Sequence, residues 1–229
     1  PSLMDWPNDV PEPGSATALA RLFVDQVLAN QANRAILERL PALGLSDAWL
    51  VAGCLFQTVW NLRAGRAAAA GIRDYDLFYF DASDLSAAAE DAVAARVQAA
   101  CADLGVPLEV KNQARVHTWY QDHFGEPYGA LASAREGIDR FLVDGTCVGL
   151  QPDGLGTLAL YAPDGLHGML RGVLRPNRRW RHPAAMYAAK AADYQQRWPG
   201  LTIHLQPNDS APAPVDLRGI GFGPDRSAG

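Results

Sequence analysis

Three cysteines, Cys54, Cys101 and Cys147, lie far apart in 229 residues and form no C-x-x-C pair. That spacing excludes a cysteine zinc site and a disulfide scaffold, and it points to a reducing, cytoplasmic setting. Five histidines show neither H-x-x-x-H nor H-E-x-x-H spacing, which argues against a zinc hydrolase. No apolar run approaches the roughly 18–20 residues of a membrane span. The first apolar segment, around Leu19–Leu28, is interrupted by Arg21, Asp25 and Gln26, so it does not read as a secretory leader. Positive charge is scarce as well: 20 Lys and Arg stand against 25 Asp and Glu, a net charge of −5. A chain with that balance lacks the positive field that grips long nucleic acid.

What is present is an ordinary globular composition, 48% hydrophobic and 20% charged, in a length that suits one domain. Four prolines within residues 1–14 predict an irregular arm. Leu19, Leu22, Phe23, Val27 and Leu28, then Ile36, Leu37 and Leu40, recur at helical spacing. Ala48 to Ala52 reads as a short buried strand ended by Gly53, followed by a helix from Leu55 to Ala64. Asp74 to Asp81, D-Y-D-L-F-Y-F-D, is the clearest strand in the chain. Asp84 or Ser86 caps a following helix, and Leu108-Glu109-Val110 opens a further strand. Helices are predicted near 114–124, 132–142, 166–173 and 183–198, with a hairpin formed by 146–150 and 157–161. After Leu205 the chain is rich in Pro, Gly and Ser, so 206–229 reads as a flexible tail behind a single domain over 15–205. These elements define an α/β (or α+β) fold, a mixed sheet flanked by helices with a helical C-terminal portion.

Asp74-Tyr75-Asp76 carries the most chemical information. Side chains two apart on a strand share a face, with Cα atoms roughly 6.5 Å apart, so both carboxylates can converge on one hard cation such as Mg²⁺. The same spacing also fits a solvated turn before a strand. Three neighbours favour the site. Asp74 and Asp76 share their face with Phe78 and Phe80, which predicts that this face continues into the core. Gly53-Cys54 joins a strand to a helix, whose unpaired N–H groups suit a phosphate. Glu109, between Leu108 and Val110, offers a third strand carboxylate.

These residues resemble the DNA polymerase β-type nucleotidyltransferase superfamily. More closely, Val51-Ala52-Gly53-Cys54, the Asp74–Asp81 strand and Lys111-Asn112-Gln113-Ala114-Arg115 are similar to an uncharacterised bacterial family of predicted nucleotidyltransferases. The resemblance runs from about Asp47 to Trp198, with its core near 47–117. It implies two Mg²⁺ (or Mn²⁺) ions between the carboxylates and a nucleoside triphosphate. Asp74 and Asp76 would hold both metals, Glu109 would complete the one nearer the acceptor, and Gly53 and Cys54 would lie against the triphosphate.

Lys111, one of only two lysines, follows the Glu109 strand with Arg115 and His117. All three offer cations to phosphate or to an acceptor, or make a solvated loop. Arg171 to His182, five arginines around Trp180, reads as a charged loop between helices, with nucleotide stacking as the alternative. Cys54 reads as a packed thiol, because no His or Asp adjoins it. The expected activity is metal-dependent transfer of a nucleoside monophosphate from NTP to an unidentified acceptor. A non-catalytic nucleotide- or ligand-binding module and a metal-dependent phosphoester hydrolase are the alternatives.

Overall fold

The computed structural model describes residues 6–207 and 213–222. Two N-terminal helices, α1 (Ala16–Leu28) and α2 (Gln31–Arg39), lead into strand β1 (Trp49–Val51) and helix α3 (Gly53–Arg63). Strand β2 (Tyr75–Tyr79), helix α4 (Ala87–Ala100) and strand β3 (Leu108–Asn112) form a βαβ unit. Then come the short helices α5 (Tyr120–Phe124) and α6 (Ala134–Ile138) and the hairpin β4 (Gly149–Pro152) and β5 (Thr157–Ala162). The remaining elements are α7 (His167–Leu170), β6 (Val173–Leu174), α8 (Ala184–Arg197), β7 (Thr202–Ile203) and β8 (Val215–Gly221).

Six strands make one mixed sheet in the order β3-β2-β1-β4-β5-β8. Within this sheet only β2 and β3 pair in parallel, because the α4 crossover returns the chain in the same direction. That parallel register sets Asp76 opposite Glu109 and Phe78 opposite Lys111. On the other side of β2, antiparallel pairing sets Val51 opposite Asp76. Burial alternates along β2: Tyr75, Leu77 and Tyr79 are buried, whereas Asp76 and Phe78 are half-buried. The face shared by Asp76 and Phe78 also carries their β1 partners Val51 and Trp49, both fully buried. Phe78 packs against the hydrophobic core, so this face continues into the core as the sequence predicts, while Phe78 also borders a cavity.

Polar bonds in the interior fix the helices against this sheet. Asn30 caps α2 by accepting from Ala32 N–H, and its amide donates to Thr58 Oγ1 and to the Tyr75 hydroxyl at 3.0 and 3.1 Å. Asn33 Nδ2 donates to the carbonyls of Val27 and Cys54. One buried amide pair thus joins the α1–α2 corner, the first turn of α3 and the head of β2. At the far end of α3, Trp60, Phe56, Tyr194 and Trp198 interlock edge to face with ring centroids about 5 Å apart. Trp60 Nε1 donates to the Met169 carbonyl and Trp198 Nε1 to Asn61 Oδ1, both at 3.0 Å. The second of these bonds and the interlocked rings seat α8 on α3. Arg197 of α8 also donates to Gln57 Oε1 of α3 at 2.7 Å.

Several predicted helices are shorter than the sequence suggests. The 132–142 segment is helical only over Ala134–Ile138, and 114–124 breaks into a 3-10 turn and α5. The larger correction concerns the tail. Within 206–229, Val215–Gly221 is a full strand, paired antiparallel with β5 at the edge of the main sheet. Its Pro- and Gly-rich approach suggested a loose end, yet Val215 is buried and Arg135 grips Asp216 with two hydrogen bonds. The rest of the predicted tail, apart from 206–207, 213–214 and 222, lies outside the described residues.

A chain ended at Pro214 loses the burial of Val215 and Phe222 and exposes the β5 edge. Its unfolding free energy in urea is expected to fall by about 3 kcal/mol or more; an unchanged midpoint would return this segment to the status of a tail.

Candidate active site

The turn from β1 into α3 holds Ala52 at φ 48°, in the left-handed region that side chains avoid. No side chain caps α3, so the N–H groups of its first residues face outward for an anion. Gly53, the first helical residue, lies close to the acids. A Cβ there would sit 3.9 Å from both Asp74 Oδ1 and Asp76 Oδ2, and 3.2 Å from Gln57 Nε2. The two carboxylates thus converge on the head of α3, where the tightest contact a Cβ would meet is the Gln57 amide.

Asp74 immediately precedes β2, Asp76 is its second residue, and Glu109 stands beside Asp76 on the exposed face of β3. Burial, then Asp74, then Glu109 push the Asp76 carboxyl up to about 7, and Lys190 and Lys111 partly offset this. Among the described residues, no group of three or more His, Cys, Asp or Glu side chains is already gathered closely enough to hold a metal ion. The acids are arranged as a converging pair with a third carboxylate alongside. That donor set of hard oxygens suits Mg²⁺, which takes one or two carboxylates and fills its remaining positions with water and substrate phosphate.

The other residues singled out in the sequence divide sharply. Lys111 borders the cavity beside the acids. Cys54 does not present its thiol: the side chain is buried, directed at the Val51 carbonyl, and burial pushes the thiol well above its ordinary range. Of Cys54, only the backbone N–H at the uncapped start of α3 is left that could meet an anion. Arg115 is engaged within the fold. Its Nη1 pairs with Glu90 of α4 at 2.7 Å and its Nε donates to the Leu85 carbonyl, so its charge is spent on joining α4 to the end of β3. Asn112, in the same string, clamps the end of β2 through Asp81 N–H and carbonyl. Arg73 is exposed.

The positive stretch 171–182 is also divided. Arg179 pairs with Asp164, while Trp180 turns inward to the cavity and meets Tyr120 and Tyr128. Sequence reasoning missed Lys190 of α8, which borders the same cavity and whose charge reaches Asp76. Its one visible signal is rarity, since Lys111 and Lys190 are the only lysines in the chain.

Residues 38–203 match the family described as Nucleotidyltransferase, and the chain belongs to that family. It is accordingly a transferase of nucleotidyl groups. A solved structure of a CCA-adding enzyme head domain is similar in fold, with a TM-score of 0.63 and 23% identity over 82% of this chain and 95% of that one. No curated protein matches the chain.

Glu90 also accepts from Asn112 N–H at 2.7 Å, and both Glu90 and Arg115 are largely buried. Glu90→Gln strands the Arg115 charge. It is expected to cost about 3–5 kcal/mol in urea unfolding; a loss below about 1 kcal/mol would mean Arg115 is free to serve a ligand.

Proposed function

We propose that the protein transfers a nucleoside monophosphate from an NTP to an acceptor hydroxyl or phosphate, with Mg²⁺ or Mn²⁺ held by Asp74 and Asp76. The observation that carries this reading is the convergence of two strand carboxylates on the uncapped start of α3. A triphosphate resting on the N–H groups of Gly53 and Cys54 brings its α-phosphorus over β2, beside the acids. A divalent cation there supplies positive charge to the phosphate oxygens as the bond to pyrophosphate breaks. Glu109, in register with Asp76 and open to solvent, is placed to complete the cation shell on the acceptor side and to take the proton of the attacking hydroxyl. Lys111 and Lys190 balance the cluster without quenching it. Among the described residues neither ammonium makes an ion pair, and every ion pair is formed by an arginine.

Asp74→Asn and Asp76→Asn each remove a cation ligand while keeping size and shape. Transfer of label from an α-labelled NTP in the presence of Mg²⁺ and cell extract is expected to fall at least about a hundredfold in either variant. Unchanged transfer in one of them would reject the assignment. Nucleotide bound by the wild-type protein with no label transferred under any condition would instead favour a binding module.

Because the Asp76 carboxyl sits near 7 without a cation, it is mostly protonated at pH 6 and mostly ionised at pH 8. A cation that binds it must displace that proton, so Mg²⁺ affinity is expected to rise about tenfold from pH 6 to pH 8. Titration calorimetry at the two pH values checks this, and equal affinities would take Asp76 out of the cation shell.

A further inference from the structure

Beyond Asp76 and Glu109 along the parallel pair, the next residues on the same face are Phe78 and Lys111. They form the floor of a cavity of about 310 Å³. Its walls are aromatic: Trp119, Tyr120, Tyr128, Phe141 and Trp180 all border it, and the rings of Phe78 and Phe141 stack at 5.7 Å with 14° between their planes. Gln113 closes one side, lying so near Gly137 that a Cβ there would fall 2.1 Å from its Oε1. The indole Nε1 of Trp119 is buried and has no hydrogen-bond acceptor among the described residues. Three cations border the same space: Lys111, Lys190 and Arg140. Lys190 lies over the Tyr194 ring at 5.1 Å and Arg140 over Tyr128 at 4.5 Å. None of the three forms an ion pair among the described residues.

We propose that this cavity is the acceptor subsite and that the acceptor is a small molecule with a planar ring body and a phosphate group. The assignment rests on the transferase reading above, because it uses the direction of attack. In-line displacement requires the entering oxygen to approach opposite the departing pyrophosphate. The triphosphate belongs at the start of α3, on the β1 side of β2. The entering oxygen therefore comes from the β3 side, and the cavity is built largely on β3 and the chain that follows it. Its volume stands at the small end of the roughly 300–1,000 Å³ of small-molecule pockets, enough for a ring system but not a polymer strand. Flat aromatic walls favour a planar body, the Trp119 N–H offers a hydrogen bond to a ring heteroatom, and three unpaired cations match a dianion. In the transfer, the acceptor oxygen forms the new bond to the α-phosphorus and the bond from that phosphorus to the bridging oxygen breaks. Pyrophosphate leaves with the electron pair, and the acceptor proton passes to Glu109.

Pyridoxal 5′-phosphate is a probe of this chemistry, a planar ring with a phosphate and an aldehyde that condenses with lysine and is fixed by borohydride. Since both lysines border the cavity, peptide mapping of the labelled protein reads this space directly. Labelling is expected to saturate with probe concentration and to persist when a non-hydrolysable NTP analogue and Mg²⁺ are saturating. Trp180→Leu and Arg140→Met should each raise the half-saturating concentration about tenfold, with thermal unfolding run alongside to confirm that each variant folds. Labelling that falls in step with analogue occupancy would overturn the proposal and assign the cavity to the base of the donor. Labelling that never saturates, or is unmoved in both folded variants, would also overturn it. Failure of the analogue to bind the wild-type protein is a separate result: it removes the transferase reading, and the acceptor role with it, whatever the cavity variants do.

Discussion

Everything at the candidate active site follows from one electrostatic constraint: Asp76 is held in a half-buried position beside two other carboxylates. Three acids on neighbouring positions repel one another, and a low-dielectric setting magnifies that repulsion. A protein has two ways to relieve it, an internal arginine or an external cation. Arginine is the commoner structural choice here, and it forms each of the ion pairs among the described residues. None of those pairs involves Asp74, Asp76 or Glu109. The nearest relief comes instead from two lysines kept beyond pairing distance. That leaves the cluster under-neutralised, which is the condition for capturing a metal ion and a polyphosphate.

Such a cluster costs stability unless the surrounding backbone is over-determined. The Asn30 and Asn33 amides bond to Thr58, Tyr75 and the Cys54 carbonyl, so the start of α3 and the head of β2 cannot drift apart. The strained Ala52 backbone persists because Ala52 N–H is bound to the Val148 carbonyl at 2.9 Å while its own carbonyl starts α3. On the far side, Asn112 and the Glu90–Arg115 pair tie the ends of β2 and β3 to each other and to α4. The sheet can then place Asp76 beside Glu109 with a fixed register, and repulsion between them is borne by the scaffold.

This division of labour also explains what could be read from the sequence. The Asp-rich strand was legible because aromatics alternate along it, and Gly53 was legible because a strand ends and a helix begins there. Glu109 was legible as an acid between two apolar strand residues. The pairing of Arg115 was not legible, because its partner, Glu90, comes from a helix 25 residues earlier and nothing local marks it. Strand β8 was missed because Pro and Gly precede and interrupt it, and its support comes from β5 and Arg135. That the face of Asp76 continues into the core was legible because Phe78 and Phe80 are apolar; the cavity that Phe78 also floors was not, because its walls come from distant segments of the chain.

The use of basic residue types carries the same logic further. Of 20 basic residues only Lys111 and Lys190 are lysines, one at the end of β3 and one on α8, and folding brings both to a single cavity. Arginine binds through a rigid fork, so it suits permanent pairs such as those with Glu90, Asp164 and Asp216. An ammonium is a compact charge on a flexible stem, able to follow an anion that arrives and leaves. Lysine only at the cavity keeps those charges mobile beside a fixed acid cluster. It also gives α8 a reason to be seated so firmly on α3 through Trp198 and Arg197: the helix delivers Lys190 to a site whose acids lie on the strands. The C-terminal helical portion therefore borders the candidate site, adding a second lysine to the one the sheet supplies.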